Sequence, residues 1–264
     1  MRIRLSVPFH LDHTLNSGQV FRWKKIGDRW EGIVTGKKIS LFQKNAVVEC
    51  DCDRNFLFSY FRLDDNLDEI LSSLDKDEII HPILMDLWGL RIIRQDPWEC
   101  LISFIISAFN NVPRIKHIIE TLSKTYGDPS GSEFTFPSPH SLATASLGQL
   151  RACGLGYRDK FVQTTAQIID SGFPLQSLSS MNYRDAKKSL LRFPGVGHKV
   201  ADCVLLFSLE KLEAFPCDVN IKTCIRHLYP HCSDINTFGR DYFGAYAGYA
   251  NHYLYHYQRL KKNR

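Results

Sequence analysis

Residues 193–203 read FPGVGHKVADC, between the helical pattern DAKKSLLRF (185–193) and the apolar run VLLFSL (204–209). Pro194 stops a simple continuation of the first helix. Gly195 and Gly197 give backbone freedom where a side chain would clash, and a second helix then starts at His198 or Lys199. The stretch therefore reads as helix, tight hairpin, helix. A glycine-rich turn (Gly195, Val196, Gly197) that leads into a helix N-terminus offers outward backbone N–H groups, a seat for a phosphate that carries no base readout. A plain αα-hairpin with glycines in its turn is the structural alternative.

On the second helix Lys199, Cys203 and Phe207 are four apart and share one face. An amine in line with a thiol and a phenyl ring is oddly placed for a solvated residue, unless it snorkels to water. Apolar neighbours and the positive end of the helix dipole both favour its neutral form, and a neutral amine is a nucleophile. Downstream, AFPCDVNIKTCIRHLY (214–229) sets Asp218 just before an apolar pattern of helical period. That is an N-cap position. A carboxylate there could also stabilise positive charge that develops on a sugar.

The bulk properties are compatible with this reading without selecting it. The chain has 264 residues, 44% hydrophobic and 23% charged, enough for one large or two smaller globular domains. A net charge of +5 and a pI near 8.7 lean towards polyanions, short of the pI of about 9 of strongly basic nucleic-acid domains. The start MRIRLSVPFHLDH lacks the apolar core of a secretory signal, and no run approaches the roughly 18 apolar residues of a membrane span. The expected location is intracellular, with the chromosome, and the eight cysteines are expected as reduced thiols. No C-x2-C pair exists. Cys224, His227, His231 and Cys232 cluster, and His252 and His256 are four apart, but the spacing fits no standard zinc finger; solvated histidines and buried thiols are expected instead. No metal ligand is assigned.

Outward from the hairpin the chain divides. Val20–Ile26, then RWEGIVT, ISLFQ and AVVEC, separated by Gly27-Asp28, Gly36 and an Asn turn, read as an antiparallel meander. From about Phe56 the period becomes helical, as in LDEILSSL, PWECLISFIISAF and RIKHIIETLSKTYG. Asp96, Pro97 and Glu99 mark a helix start. YGDPSGSEFTFPSPHS (126–141) reads as a loop, and RLKKNR (259–264) as a solvated end. The fold class expected is α+β: an N-terminal antiparallel sheet domain with flanking helices over 1–90, then a mostly α-helical body over 91–264, in two helical lobes with the hairpin at 190–200.

The stretch LLRFPGVGHKVADCVLLFSLEKLEAFPCDVNI (190–221) resembles the helix-hairpin-helix and Gly/Pro-Asp signature of the DNA glycosylase superfamily. In that superfamily a lysine at the Lys199 position marks enzymes that add a lyase step to the glycosylase step. The C-x6-C-x2-C-x5-C iron–sulfur motif of other branches is absent, since Cys217 and Cys224 mimic only its first gap and no cysteine follows Cys232. LNSGQVFRW, IIRQDPWECLISFIISAFNNVPRI, LRACGLGYRDKFV and AGYANHYLY extend the resemblance, almost end to end, to the 8-oxoguanine DNA glycosylase branch.

The resemblance implies a nucleotide flipped from duplex DNA into a pocket. Gly18 matches the glycine whose carbonyl reads the N7–H of 8-oxoguanine, where guanine has a lone pair; such a mismatch costs on the order of 1–3 kcal/mol. Cys203 and Tyr255 match the residues on the two faces of the base, with Phe207 beside them, and Asn251 matches the amide at its Watson–Crick edge. Phenylalanine and glutamine are usual at the positions of Tyr255 and Asn251. Tyr157 matches a stack-filling wedge, and Arg158 and Arg114 match arginines that contact the partner base. Asn110 lies in the same loop. Phe109 departs from the usual asparagine, which implies weaker discrimination of the opposite base. Asn220 stands where a phosphate-contacting histidine is common.

The implied chemistry is attack of Lys199 at C1′, charge stabilisation by Asp218, a Schiff base and β-elimination 3′ to the lesion. No cofactor is required; a cation could bridge hairpin carbonyls to a phosphate. The expected partner is double-stranded DNA with 8-oxoguanine opposite cytosine, bound by a monomer. A glycosylase/lyase for another oxidised base and a non-catalytic helix-hairpin-helix DNA-binding protein remain as alternatives.

Overall fold

A computed structural model describes residues 1–232 and 234–262. The chain opens with β1 (Arg2–Arg4) and α1 (Leu11–Asn16), followed by β2 (Trp23–Ile26), β3 (Arg29–Val34), β4 (Lys37–Lys44) and β5 (Val47–Cys50). They form one antiparallel sheet in the order β1-β5-β4-β3-β2. Two-residue turns fix the register: Ile26 pairs with Arg29, Val34 with Lys37 and Lys44 with Val47. At the middle turn Thr35 and Gly36 both have positive φ, the requirement of a turn whose twist matches the strands. Along β4 and β5 every second residue (Ile39, Leu41, Val48, Cys50) is buried against α2 (Arg54–Tyr60).

Two expected features of this region differ. Val20–Arg22 is not strand, because its neighbours bond to the helical body instead. The Gln19 side chain donates to Arg91 O at 2.9 Å and accepts from Ile93 N at 2.8 Å, and Arg22 donates to Phe134 O. β1 and α1, by contrast, carry too few residues for a periodic signal in the sequence.

The helices continue as α3 (Leu67–Leu74), α4 (Ile80–Asp86), α5 (Pro97–Ser107) and α6 (Val112–Tyr126). Asp96 caps α5 through Glu99 N at 2.9 Å, with Pro97 in the first turn. The expected loop after α6 holds a small hairpin, β6 (Pro129–Ser130) with β7 (Glu133–Phe134). There follow α7 (Pro139–Thr144), α8 (Leu147–Leu150), α9 (Asp159–Asp170), α10 (Tyr183–Leu190), α11 (His198–Ser208), α12 (Val219–Leu228), α13 (Ile235–Phe243) and α14 (Ala247–Lys262).

Two apolar cores result. One joins the sheet to α2; the other collects α3 to α14 around α5 and α11, and takes Phe21 from the sheet side. Leu67–Leu90 packs in the helical core whereas Ile93 packs under the sheet, so the chain crosses between cores more than once. The crossing is stitched by Arg91, fully buried, which donates to Pro8 O, Arg62 O and Asp65 O at 2.7–2.9 Å. Arg62 in turn forks onto Glu210 with two bonds of 2.8 Å. Among the described residues no helix is long and apolar enough to cross a membrane.

The C-terminal end differs from the solvated tail expected. Arg259 donates to Asn16 O at 2.8 Å, and Lys262 to Asn220 Oδ1 at 2.8 Å, so α14 ties the ends of α1 and α12 together. Asn263 and Arg264 lie outside the described residues.

Candidate active site

The hairpin between α10 and α11 is braced from below. Tyr183 OH and Lys187 Nζ of α10 each bond a carboxylate oxygen of Asp202 on α11 at 2.8 Å. Gly195 has φ of +78°, and a Cβ there would sit 2.7 Å from Phe161, so this glycine is required twice over. Gly197 corrects the sequence reading: its φ of −93° is ordinary extended backbone, and a Cβ would meet nothing within 4 Å. Space, not backbone freedom, is what Gly197 leaves at the uncapped start of α11. A second correction concerns Val196, whose side chain is buried and whose N–H bonds Phe193 O at 3.1 Å rather than facing outward.

Lys199 lies in the first turn of α11 and is half-buried. Its Nζ donates to Ser107 Oγ at 3.2 Å, at the end of α5, and stands 5.0 Å from the centroid of Phe104. Phe104 is itself stacked on Phe207 at 5.6 Å. Lys199 thus opens onto a solvent-open cleft with a volume of about 140 Å³. The cleft brings together Gly18, Lys199, Cys203, Phe207, Asp218, Asn251 and Tyr255, with Asn110 and Asn220 at its edge. Among the described residues no ion pair joins Lys199 to a carboxylate, so its amine is held by a neutral hydroxyl and aromatic faces.

Each partner has a structural anchor that leaves it on the wall. Asp218 Oδ1 accepts from Ile221 N at 2.8 Å, so the carboxylate caps α12 and lines the cleft at once. Asn251 Nδ2 donates to Pro216 O at 3.0 Å. Burial pushes the Cys203 thiol up to about 12, against the pull of Lys199, so sulfur stays protonated and does not compete with the amine as nucleophile. Burial likewise raises the Tyr255 phenol. Gly18, with φ of +84°, fits beneath Arg259 and Tyr255; a Cβ would lie 2.6 Å from the one and 3.4 Å from the other.

Among the wall residues that the sequence reading missed are Phe104, Ser107 and His252. Phe104 and Ser107 belong to a helix that is apolar all round, which gives no sign of which residue meets the hairpin. His252 was expected as solvated; it is buried, packs edge-on against Phe207 at 5.4 Å, and has no partner for Nε2. His256, one turn on, is also buried and shares a 3.3 Å hydrogen bond with His13 of α1. Among the described residues no group of three His, Cys, Asp or Glu is placed to hold a metal.

Of the residues expected at the partner strand, Asn110 lines the cleft, and Phe109, Arg114, Tyr157 and Arg158 do not. Phe109 is 97% exposed and Tyr157 56% exposed, and Arg114 is exposed with its backbone capped by Asn111. Arg158 has three of its five guanidinium N–H groups engaged by the main chain. It is buried, and each of its guanidinium nitrogens donates to a main-chain carbonyl: Nε and Nη2 to Ala108 O, Nη1 to Leu155 O. Asn110 spends its amide on Ile106 O at 2.8 Å, closing the end of α5.

A second cavity of about 70 Å³ lies between the sheet and α6. Its cations are largely neutralised, Lys24 and Lys124 by Glu120 and Lys38 by Glu31.

Comparison with known proteins agrees with this geometry. Residues 2–101 match the family described as 8-oxoguanine DNA glycosylase, N-terminal domain, and residues 102–237 match the HhH-GPD superfamily base excision DNA repair protein family. The N-glycosylase/DNA lyase OGG1 of Arabidopsis thaliana is 32% identical over 92% of this chain and 75% of its own length. A probable N-glycosylase/DNA lyase of Methanothermobacter thermautotrophicus is 35% identical over 65% of this chain, which spans 64% of that relative. The 8-oxoguanine glycosylase/lyase of Clostridium acetobutylicum, solved with double-stranded DNA containing cytosine opposite 8-oxoG, superposes with a TM-score of 0.91 at 31% identity, covering 99% of this chain and 98% of that one. By these matches over nearly its whole length, the chain belongs to the 8-oxoguanine DNA glycosylase family within the HhH-GPD superfamily of base excision DNA repair proteins.

Proposed function

We propose that the protein excises 8-oxoguanine from duplex DNA and cuts the strand at the resulting abasic site, with Lys199 as nucleophile. The observation that carries this reading is the Lys199 amine on the wall of a cleft that Asp218 also lines, with no ion pair to a carboxylate among the described residues. In this reading the damaged nucleotide leaves the stack and enters the cleft. Cys203 and Tyr255 take its two faces, Asn251 its Watson–Crick edge, and Gly18 supplies the carbonyl that accepts the N7–H of the lesion. Phe207 closes the wall behind.

The lysine nitrogen donates its lone pair to C1′ as the C1′–N9 bond breaks, and the bonding electrons leave with the base, which takes up a proton. Asp218 opposes the positive charge on the sugar in this step. Ring opening gives the iminium form of Lys199. Loss of a C2′ proton then expels the 3′ phosphate by β-elimination, and hydrolysis frees the amine. The chemistry needs no redox or nucleotide cofactor.

The hairpin, through the open face at Gly197 and the start of α11, supports a phosphate seat, joined by Gly195 and Asn220; a cation on the hairpin carbonyls would add to it. Of the amides assigned there, Val196 contributes shape rather than a donor. Arg114 and Tyr157 face the partner strand, with cytosine as the favoured partner base. We further propose that one protomer suffices and that the enzyme works on chromosomal DNA inside the cell.

The test is a strand-nicking assay on an 8-oxoguanine·C duplex, with borohydride present to trap the lysine adduct. Nicking with a trapped adduct supports the reading. Binding without base release would leave a non-catalytic DNA-binding protein, and release of other oxidised bases in preference would change the substrate.

A further inference from the structure

We propose that Arg259 of α14 is a positioning residue for lesion reading: it locks the turn that carries Gly18 onto the helix that carries Tyr255, so that the carbonyl and the ring meet the flipped base as one unit. The inference rests on the reading of 8-oxoguanine in the cleft. It goes beyond that reading to a side chain that does not line the cleft.

The turn needs outside support. α1 has only six residues, too few to be stable without packing, and Gly18 follows it with φ of +84°. On the inner side the turn is fixed by Ser17 and Gln19, both buried. Ser17 Oγ donates to Thr14 O at 2.8 Å, and Gln19 Nε2 donates to Thr14 O at 3.0 Å and to Arg91 O at 2.9 Å. On the outer side Asn16 is exposed, and its carbonyl accepts from Arg259 Nη1 at 2.8 Å. Gly18 stands between these two anchors. Among the described residues no donor meets its own carbonyl.

Arg259 reaches the other side of the base as well. Its guanidinium lies 5.9 Å from the ring centroid of Tyr255, one turn back on α14. Its Nη1 also fills the space beside Gly18, 2.6 Å from where a Cβ would stand. The gap between Gly18 and Tyr255 is therefore set by a side chain and not by backbone alone. The same two helices meet once more, where His13 and His256 share a hydrogen bond of 3.3 Å. Residues 13 and 16 of α1 thus face 256 and 259 of α14, at a spacing that keeps each pair on one face. The histidine contact holds the helices together when Arg259 is replaced, so a substitution there loosens the turn without releasing α1.

A hydrogen bond weakens steeply with misalignment. A Gly18 carbonyl free to swing would lose its contrast between the N7–H of 8-oxoguanine and the lone pair of guanine. The amine does not depend on this bridge, because Lys199 and Asp218 are held by Ser107 and by Ile221 N. Arg259 should therefore matter where a base must be recognised and not at an abasic site, which presents none.

The test compares the wild type with Arg259→Met, which keeps an unbranched stem and no donor, and with Arg259→Lys, which keeps one donor for Asn16 O. Duplexes whose 2′-fluorinated sugar blocks excision give the affinity ratio of 8-oxoguanine over guanine. Arg259→Met should lower this ratio roughly tenfold, and Arg259→Lys by less. Cleavage of a preformed abasic site should stay within about twofold of wild type in both variants, and the salt dependence of binding to the guanine duplex should not change. A ratio untouched by Arg259→Met overturns the inference. Equal loss of affinity for both duplexes, with a salt slope smaller by about one, overturns it too, since Arg259 would then be a phosphate contact. So does abasic-site cleavage that falls in step with the ratio, because the damage would then be to the fold at large. A wild type that cleaves abasic sites without preferring 8-oxoguanine sinks the reading of the lesion on which the inference rests.

Discussion

The two sides of the catalytic cleft are built on opposite principles. On the lesion side, Lys199, Cys203, Asp218, Asn251 and Tyr255 are at least half-buried, and Lys199, Asp218 and Asn251 are anchored by bonds to the protein's own framework. On the side assigned to the partner strand, Phe109, Arg114 and Tyr157 stand in water, and only Arg158 behind them is buried. A pocket that must receive one base from solution can be finished before the DNA arrives, because helix packing alone fixes its walls. A surface that meets a stacked duplex must stay open, and only what lies behind it can be prepared in advance. Substitutions on the lesion side should therefore act on chemistry, and those on the open side on affinity and partner choice.

The strongest challenge to that contrast is Lys199→Gln. Loss of the nucleophile should lower excision by at least about 10³-fold and remove the borohydride adduct, while DNA affinity stays near wild type. Retention of the adduct would move the nucleophile to another amine. Asp218→Asn comes next. Asparagine caps a helix as well as aspartate does, so the melting temperature should hardly move, whereas excision should fall on the order of 10²-fold. A matching loss of stability and rate would reduce Asp218 to a cap.

The hairpin glycines sharpen the contrast within one turn. Gly195→Ala forces a Cβ against Phe161 at a positive φ, and should cost about 1–3 kcal/mol of stability in the free protein. Gly197→Ala should stay within about 0.5 kcal/mol, because its Cβ meets no protein atom, yet it should weaken DNA binding if a phosphate sits there. Equal affinities for wild type and Gly197→Ala would move the phosphate seat elsewhere.

The histidine seam behind the lesion pocket predicts a pH response. Burial holds His252 and His256 down to about 3, His256 with the further opposition of His13, and burial holds His13 down to about 4. A histidine whose folded value is depressed binds its proton more readily when unfolded. Stability is then complete above about pH 6.5 and declines as the pH falls through the window down to the folded values. At pH 5 each of the two α14 histidines should cost on the order of 2 kcal/mol, and His256→Asn should flatten the profile in urea melts at a series of pH values. A profile that is flat in the wild type between pH 7 and 5 would show that the seam is hydrated in solution.

Much of this architecture could be read from residue types alone, for a local reason. The turns at Gly27, Thr35-Gly36 and Asn45, the cap at Asp96, the helix start at Asp218 and the break at Pro194 all depend on the conformations of a few adjacent residues. The face shared by Lys199, Cys203 and Phe207 follows from helical period, and all three do line one cleft. The sequence could thus state that there is a hairpin, and which amine stands at its mouth.

What it could not state was who meets whom across the chain. The Ser107 hydroxyl is 92 positions from Lys199, and α5, buried around most of its surface, has no polar face to mark the residue that reaches the hairpin. Arg158 reads as a surface arginine until folding brings Ala108 O, 50 positions away, within its reach. The histidines of α14 read as solvated until α1 meets His256 and α11 meets His252, and the basic tail as free until Arg259 finds Asn16 O, 243 positions away. Long-range partners are chosen by the packing of whole elements, and a single side chain carries no record of that choice. Local geometry was therefore the sequence's to determine, and the commitment of each polar group to protein or to ligand was decided by the tertiary structure alone.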